Sequence, residues 1–361
     1  AQAGAWDDPK LSADSVVGRF IDLPANAMPD QSLMLEQMLP VSGKNRARAR
    51  AAAAEALSAL EDVRRQELDI LTAARTSFFR LTNAYAQLEI NRKNIVSLKQ
   101  IADISRNRYE VGNETAAGAL VAQSDASKLL ETQRDLERAL ANEQSQLNTL
   151  MNRDAFVSIG KPLDSSINNV SLSIERLRAL ALANRPEVRS ARDKIEAEKS
   201  RLQMAHREWI PDPALSLRAT RYNDAAQTVS ELSAGVSFSL PWVNYRKYSA
   251  GTREAEKNIG AAQQVLDGAE KEAIRLLRDQ LQKIETTHHH VELFRDEILP
   301  QAQQAFEATQ LGYESGKSGF LDWITAQRTL RDAQATARAH LADYQIALAE
   351  LDGIVGTELR K

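Results

Sequence analysis

The chain is one unit written twice. Tyr109-Glu110-Val111-Gly112 returns 204 positions later as Tyr313-Glu314-Ser315-Gly316. The same offset carries Gln123 onto Gln327, Leu147 onto Leu351, Leu150 onto Ile354 and Asn152 onto Gly356. Upstream it carries Asp8-Pro9-Lys10-Leu11-Ser12 onto Asp212-Pro213-Ala214-Leu215-Ser216. Between those points the offset slips to 201, where Leu39-Pro40 meets Leu240-Pro241. A duplication with such a long period limits the fold to two fused copies of one architecture.

Each copy predicts the same run of elements. The first repeat spans 1–152, with strands within 9–40, a long helix over 44–108, a tip turn at 109–115 and a return helix over 116–152. Residues 153–172 form a linker. The second repeat spans 173–361, with a helix over 173–207, strands within 213–240, a long helix over 246–311, a tip turn at 312–319 and a return helix over 320–356. The first repeat has no counterpart of the 173–207 helix. An N-terminal extension carrying that helix and a targeting signal is therefore expected ahead of Ala1.

The long helices follow from what is missing as well as from what is present. No proline or glycine interrupts the stretch from Asn45 to Arg108, and Leu57, Leu60, Val63, Leu68, Leu71, Phe78, Leu81, Tyr85 and Leu88 recur at helical spacings. Ala, Leu, Glu, Gln, Arg and Lys dominate, and aromatics are only 5%, which suits long coiled-coil hairpins rather than a globular core. About 60 residues at 1.5 Å rise make a rod of roughly 90 Å. In the second repeat Pro300 interrupts the rod, at the position of Val96 in the first, so the two rods should differ there. Gly112 and Gly316 are expected in the left-handed conformation that lets each hairpin reverse.

The strands alternate. Leu232, Ala234, Val236, Phe238 and Leu240 interleave with Ser233, Gly235, Ser237 and Ser239, and 214–222 alternates likewise. Such strands fit a transmembrane β-barrel, and equally an amphipathic hairpin packed on a soluble core. Trp6, Trp209 and Trp242 all fall where strands meet helices, and indole rings favour a membrane–water interface. No apolar run reaches 18 residues, so no transmembrane helix is expected.

Several chemistries are set aside. With no cysteine there is neither disulfide nor thiolate chemistry, and a net charge of −3 gives no sign of a nucleic-acid partner. No catalytic constellation stands out, so no enzyme activity and no cofactor are expected. His288-His289-His290 invites a metal reading, but consecutive helical residues point about 100° apart and cannot share one ion, so no metal site is assigned.

The order of elements resembles the TolC-like outer membrane factors, or outer membrane efflux proteins, and within them the heavy-metal efflux (CzcC/CusC-like) branch. Three stretches carry the likeness: 180–188 (Leu-Ala-Leu-Ala-Asn-Arg-Pro-Glu-Val), Pro211-Asp212-Pro213 with 236–241, and Tyr313-Glu314-Ser315-Gly316 with Leu321-Asp322 and Ala326-Gln327. The resemblance implies a mainly α fold with a small β part. It implies a homotrimer whose four strands per protomer close a 12-stranded barrel in the outer membrane, with helices forming a periplasmic tunnel. Four strands alone cannot close, and open edges in lipid leave backbone groups unpaired. It further implies a passive exit duct for a tripartite efflux system, with heavy-metal cations as one cargo. The partners would be outer-membrane lipid, a periplasmic adaptor and an inner-membrane pump of RND type. Carried over by position, Tyr109, Gly112, Tyr313 and Gly316 mark the adaptor-docking tip. Asp322 falls where relatives place an acid at the tunnel entrance. Thr325 stands where many have a second acid, Gly118 stands at the first-repeat equivalent of Asp322, and Asp125 is the nearby acid expected to face the lumen. Arg106 and Arg108 are candidates for tip ion pairs. The alternative reading is a non-catalytic coiled-coil scaffold, which the strand pairs and tryptophans oppose. An adaptor would need a β-rich module that this chain lacks.

Overall fold

In the computed structural model, which describes residues 2–17, 29–112, 115–163, 173–222, 229 and 231–359, the alternating segments pair into one antiparallel sheet. Its strands are β1 (Lys10–Ser15), β2 (Pro29–Met38), β3 (Ala214–Tyr222) and β4 (Glu231–Ser237), in that order across the sheet. The described helices are α1 (Lys44–Glu110), α2 (Ala116–Leu150), α3 (Ile174–Asn184), α4 (Pro186–Arg207), α5 (Tyr245–Leu293), α6 (Leu299–Glu314) and α7 (Phe320–Val355). None is long and apolar enough to cross a membrane.

Register sorts the strand side chains by chemistry. Leu11, Leu35, Leu217 and Ala234 lie opposite one another on one face, as do Ala13, Leu33, Ala219 and Leu232. The other face carries Ser12, Met34, Arg218 and Ser233, then Asp14, Ser32, Thr220 and Glu231. The apolar face is uncovered: Leu11 is 68% exposed, Leu232 67% and Val236 64%. On the opposite face Asp14, Arg218 and Glu231 are exposed as well. In water each such side chain would forgo about 1.5–3 kcal/mol of burial. The strands are shorter than the alternation predicts. β1 ends at Ser15, and 18–28 fall outside the described residues. β4 stops at Ser237, leaving Phe238 and Leu240 beyond the ladder, because Pro241 lacks an N–H and opens a 3-10 turn over Pro241–Asn244.

The chain divides into two compact units, Ala1–Val63 with Pro186–Glu270 and Arg64–Arg185 with Lys271–Lys361, so each unit draws on both repeats. In the first, α1 and α4 meet through small residues. Ala47, Ala51 and Ala54 on α1, and Ala191 and Ala197 on α4, are buried. The Ser58 and Ser190 hydroxyls lie 2.9 Å apart across this seam, and Arg189 reaches the buried Glu61 at 3.3 Å.

The strand-to-helix junction of this unit is built on Asp212. Its carboxylate accepts from the Ser42 backbone N–H at 2.7 Å and from the Ser42 hydroxyl at 3.0 Å, and pairs with Lys44 at 2.7 Å. Burial raises the Asp212 carboxyl, but Lys44 and the Ser42 donors outweigh it, so it titrates below 3.8. A depressed carboxylate stabilises the fold above its unfolded value and loses that contribution as pH falls through the folded one. Asp212→Asn should therefore cost about 2–3 kcal/mol at neutral pH. The gap from the parent should narrow below pH 3.8, read by thermal melts at both pH values. An equal gap at both would show that the charge contributes nothing.

Proline shapes two of the helices, one against expectation and one in line with it. The single helix expected over 173–207 is broken into α3 and α4 at Arg185, which adopts φ −63 and ψ 124. A residue before proline is pushed out of the helical region, and Pro186 then starts α4, where its missing N–H costs nothing. Pro300 has the opposite effect. Rather than ending the helix, it is preceded by a π-helical turn over Phe294–Ile298, in which the N–H of Leu299 reaches back to the carbonyl of Phe294. The wider turn gives room where a proline ring would strike the carbonyl four residues back. In the first repeat α1 passes Val96 as unbroken α-helix. Both long helices also run further than predicted, through Glu110 and Glu314, so Tyr109 and Tyr313 belong to last helical turns.

In the second unit the largest core joins Ile95, Leu98, Ile101 and Ala102 of α1, Ala122, Ala126 and Leu129 of α2, Tyr313 of α6, and Phe320, Trp323 and Ile324 at the start of α7. A second core packs Leu177 and Ala181 of α3 against Leu277, Leu351 and Val355. Side-chain amides bridge the hairpins: buried Gln327 donates to Asn94 at 3.0 Å, and half-buried Gln87 to the Ala335 carbonyl at 2.7 Å. The described part of the linker is held to the helices. Asn148 donates to the Val157 carbonyl at 2.6 Å, Gln144 to that of Ile159 at 2.9 Å, and Lys161 pairs with Glu89 at 2.5 Å.

Candidate functional site

The two hairpin ends meet at the largest core. Each long helix closes with a left-handed glycine, φ +77 at Gly112 and φ +75 at Gly316. At the second end the Gly316 N–H reaches the Tyr313 carbonyl at 3.1 Å and the Lys317 N–H reaches that of Gly312 at 2.7 Å, a Schellman closure. At the first the Gly112 N–H reaches Tyr109 at 2.9 Å. A Cβ at either glycine would meet nothing within 4 Å, so conformation rather than space demands glycine.

The equivalent tyrosines part company. Tyr109 is 51% exposed, whereas Tyr313 is 2% exposed. Tyr313 stacks on Trp323 with ring centres 5.0 Å apart and meets Phe320 edge-on at 6.2 Å. Its other side is covered by Arg108, whose guanidinium carbon lies 4.6 Å from the ring centre. Arg108 also donates to the Tyr313 carbonyl and, at 3.5 Å, to that of Glu314. These are terminal carbonyls of α6, where a cation meets the negative end of the helix dipole. One arginine of the first hairpin thus caps the second. Arg106 pairs within its own helix, with Glu110 at 3.2 Å. As a surface for a partner, the pair of tyrosines reduces to Tyr109, because Tyr313 is spent on the core.

The two acids separate as well. Asp322 is exposed and accepts from the Gly319 N–H at 3.1 Å, which closes the first turn of α7. Asp125, expected to face the lumen, is instead 6% exposed. It accepts from Arg328 of α7 at 2.7 Å and lies 3.6 Å from Lys128. This correction has a plain cause: Asp125 lies on the α2 face turned toward α7, where a carboxylate needs a cation.

Gly118 explains its own departure from an acid. A Cβ there would come 2.6 Å from the Ser105 hydroxyl and 3.1 Å from the Phe320 ring. The first turn of α2 is pressed between α1 and α7, and no acidic side chain fits.

The tryptophans lie in the sheet-bearing unit. Trp6 and Trp242 are exposed, and Trp209 is half-buried with its ring 5.6 Å from Tyr248. The histidine run behaves as its spacing requires. His288 meets Tyr344 at 5.2 Å and Glu292 at 3.5 Å, while His290 faces His340 of α7. Among the described residues no group of three or more His, Cys, Asp or Glu is placed to hold a metal ion.

Sequence reasoning offered Arg108 for a tip ion pair but not as the cap of α6, and missed the Asp125–Arg328 bridge, the Asp212 junction and the His290–His340 contact. Each joins residues far apart in the chain. Only Gly118, glycine where the repeat has an acid, carried a visible sign of close approach.

A four-stranded sheet with exposed apolar side chains, joined to long helices that end in tight reversals, defines the class of fold. The chain belongs to the outer membrane efflux protein family, whose pattern matches residues 29–153 and 177–357. Its place is accordingly the outer membrane. It is 23% identical over 314 residues to the toluene efflux pump outer membrane protein TtgF of Pseudomonas putida, covering 84% of this chain and 64% of that protein. It is 24% identical over 269 residues to the cobalt-zinc-cadmium resistance protein CzcC of Cupriavidus metallidurans, covering 71% and 62%. The chain thus spans just under two thirds of the length of these relatives. Among solved structures, the outer membrane protein VceC of Vibrio cholerae superposes with TM-score 0.81 at 19% identity, over 99% of this chain and 89% of that one. CusC superposes with TM-score 0.81 at 16% identity, over 99% and 85%.

Proposed function

We propose that this chain is the exit duct of a tripartite efflux system, conducting its cargo passively and performing no reaction. The observation that carries this reading is the sheet, whose exposed apolar side chains share one face while serines, threonine, arginine and acids share the other. That sorting suits lipid outside and water inside. β1 and β4 are open edges, so closure needs further copies, and three would give twelve strands. Trp6, Trp209 and Trp242 stand at the membrane–water boundary in this reading. The tandem duplication then supplies each protomer with two strand pairs and two hairpins.

The hairpin ends are the docking tip for a periplasmic adaptor, with Tyr109, Gly112 and Gly316 on its surface and Tyr313 as internal support. Asp322 is the entrance acid. The Asp125–Arg328 bridge holds α2 to α7 and would part as the entrance widens. An inner-membrane pump, of RND type, supplies the free energy. Heavy-metal cations are one cargo class. The relatives' names pair toluene efflux with cobalt-zinc-cadmium resistance, two unlike chemistries, and a water-filled duct needs no selective pocket.

The test has two arms. The parent should need detergent for extraction and sediment as a trimer. Gly112→Trp and Gly316→Trp should keep trimer and extraction while losing at least tenfold in affinity for the adaptor. A monomer that stays in solution without detergent would end the duct reading. Unchanged adaptor affinity would end the tip assignment alone.

A further inference from the structure

The histidine run and His340, assigned no role above, form a cross-helix pair. His290 of α5 and His340 of α7 have ring centres 4.8 Å apart at an interplanar angle of 47°. Both are partly exposed, so water and ions reach them. Val291, next to His290 in α5, and Tyr344, one turn after His340 in α7, belong to a buried cluster with Leu348. Phe294, the first residue of the π turn, packs on His340 at 5.0 Å. His289 is further from His290, at 6.4 Å, and His288 is turned toward Tyr344 and Glu292.

Coordination geometry matches this spacing. Imidazole nitrogens bind borderline metals at about 2.0–2.1 Å, which puts each ring centre roughly 3.2 Å from the ion. Two rings at roughly 90–110° about one ion then have centres about 4.5–5.2 Å apart. The observed separation lies inside that window. We propose that His290 and His340 form a two-histidine site for a borderline divalent transition metal, Cu²⁺ first and then Ni²⁺ or Zn²⁺, with water completing the shell. Imidazole suits these ions, whereas Mg²⁺ and Ca²⁺ take oxygen donors.

The bridge ties α5 to α7 one turn before the π turn at Phe294–Ile298. An ion held there restrains the second hairpin at the place where its long helix departs from α-helical form. The first repeat has no counterpart, since at the repeat offset its matching positions are Ala86 and Leu136 rather than histidines. The site does not depend on what the duct carries.

The test uses the full chain in detergent, with any affinity tag removed, and CuCl₂ as the probe. The parent should bind Cu²⁺ with micromolar affinity, and its electron paramagnetic resonance spectrum should show coupling to two nitrogens. His290→Phe and His340→Phe, which keep a ring of similar shape, should each weaken binding at least tenfold, while His288→Phe and His289→Phe leave it unchanged. Thermal melts without metal check the fold, and His340→Asn replaces His340→Phe should that variant unfold. Absence of binding by the parent at about 100 µM Cu²⁺, far above a micromolar site, would overturn the proposal. So would loss of binding in the His288 or His289 variant equal to that in His340→Phe.

Discussion

Arg108→Gln should leave the hairpins folded but loosen the joint between them. The side chain stacks on Tyr313 and donates to two terminal carbonyls of α6. A cation–π contact and charge-assisted hydrogen bonds, discounted for partial exposure, together contribute about 2 kcal/mol. If the contacts exist only while the two hairpins lie together, that difference shifts the ratio of joined to parted forms about thirtyfold. The consequence is measurable as single-channel conductance in planar bilayers, which should rise several-fold over the parent. Arg108→Lys keeps the charge but loses the planar fork, and should fall between the two. Equal conductance in parent and Arg108→Gln would remove the arginine from any role in closing the tip.

Gly118→Asp should be the most damaging single change at this end of the molecule. The new Cβ would lie 2.6 Å from the Ser105 hydroxyl and 3.1 Å from the Phe320 ring, and a carboxylate would follow it into the core. Overpacking and a buried unpaired charge together cost more than about 3 kcal/mol. Gly118→Ala is the control. Its Cβ meets the same atoms, but the Ser105 hydroxyl can rotate, and alanine gains about 1 kcal/mol of helix propensity over glycine. It should therefore melt within a few degrees of the parent, while the aspartate variant melts far below it. Similar melting of both variants would show that the first turn of α2 is not held as closely as described. The experiment bears on the repeat itself, since it restores to the first half the residue type its twin carries.

The sequence reads well wherever structure is set by local pattern. The long helices follow from proline-free apolar spacing, and the left-handed glycines from their place after each Tyr-Glu. The strand pairs follow from alternation. Single positions went astray where one residue's backbone chemistry overrode the pattern. Pro186 breaks a helix that amphipathic spacing alone would continue. At Pro300 the expected difference between the two long helices is present, as a π turn. The tip was legible as a place but not as a mechanism. Equivalence of the repeats suggested equal roles for Tyr109 and Tyr313, yet only one faces water. Nothing local distinguishes them, because the difference comes from Trp323 and from an arginine 205 residues away in the other hairpin. Asp125 was misread for the same reason, its partner Arg328 being 203 residues distant.

The pairing of β2 with β3 has a bearing on how such a chain matures. Met38 pairs with Ala214, so this ladder cannot form until the polypeptide has been made past Ala214. Helices close through neighbours and form early, whereas a sheet joined across so long a loop forms late. Until then its greasy strands are a template for sticking to other chains in an aqueous compartment. Delay therefore places the hazard on the aqueous crossing: the two strand pairs stay unjoined until the sheet zips at a bilayer, and a chaperone would have to shield both until then.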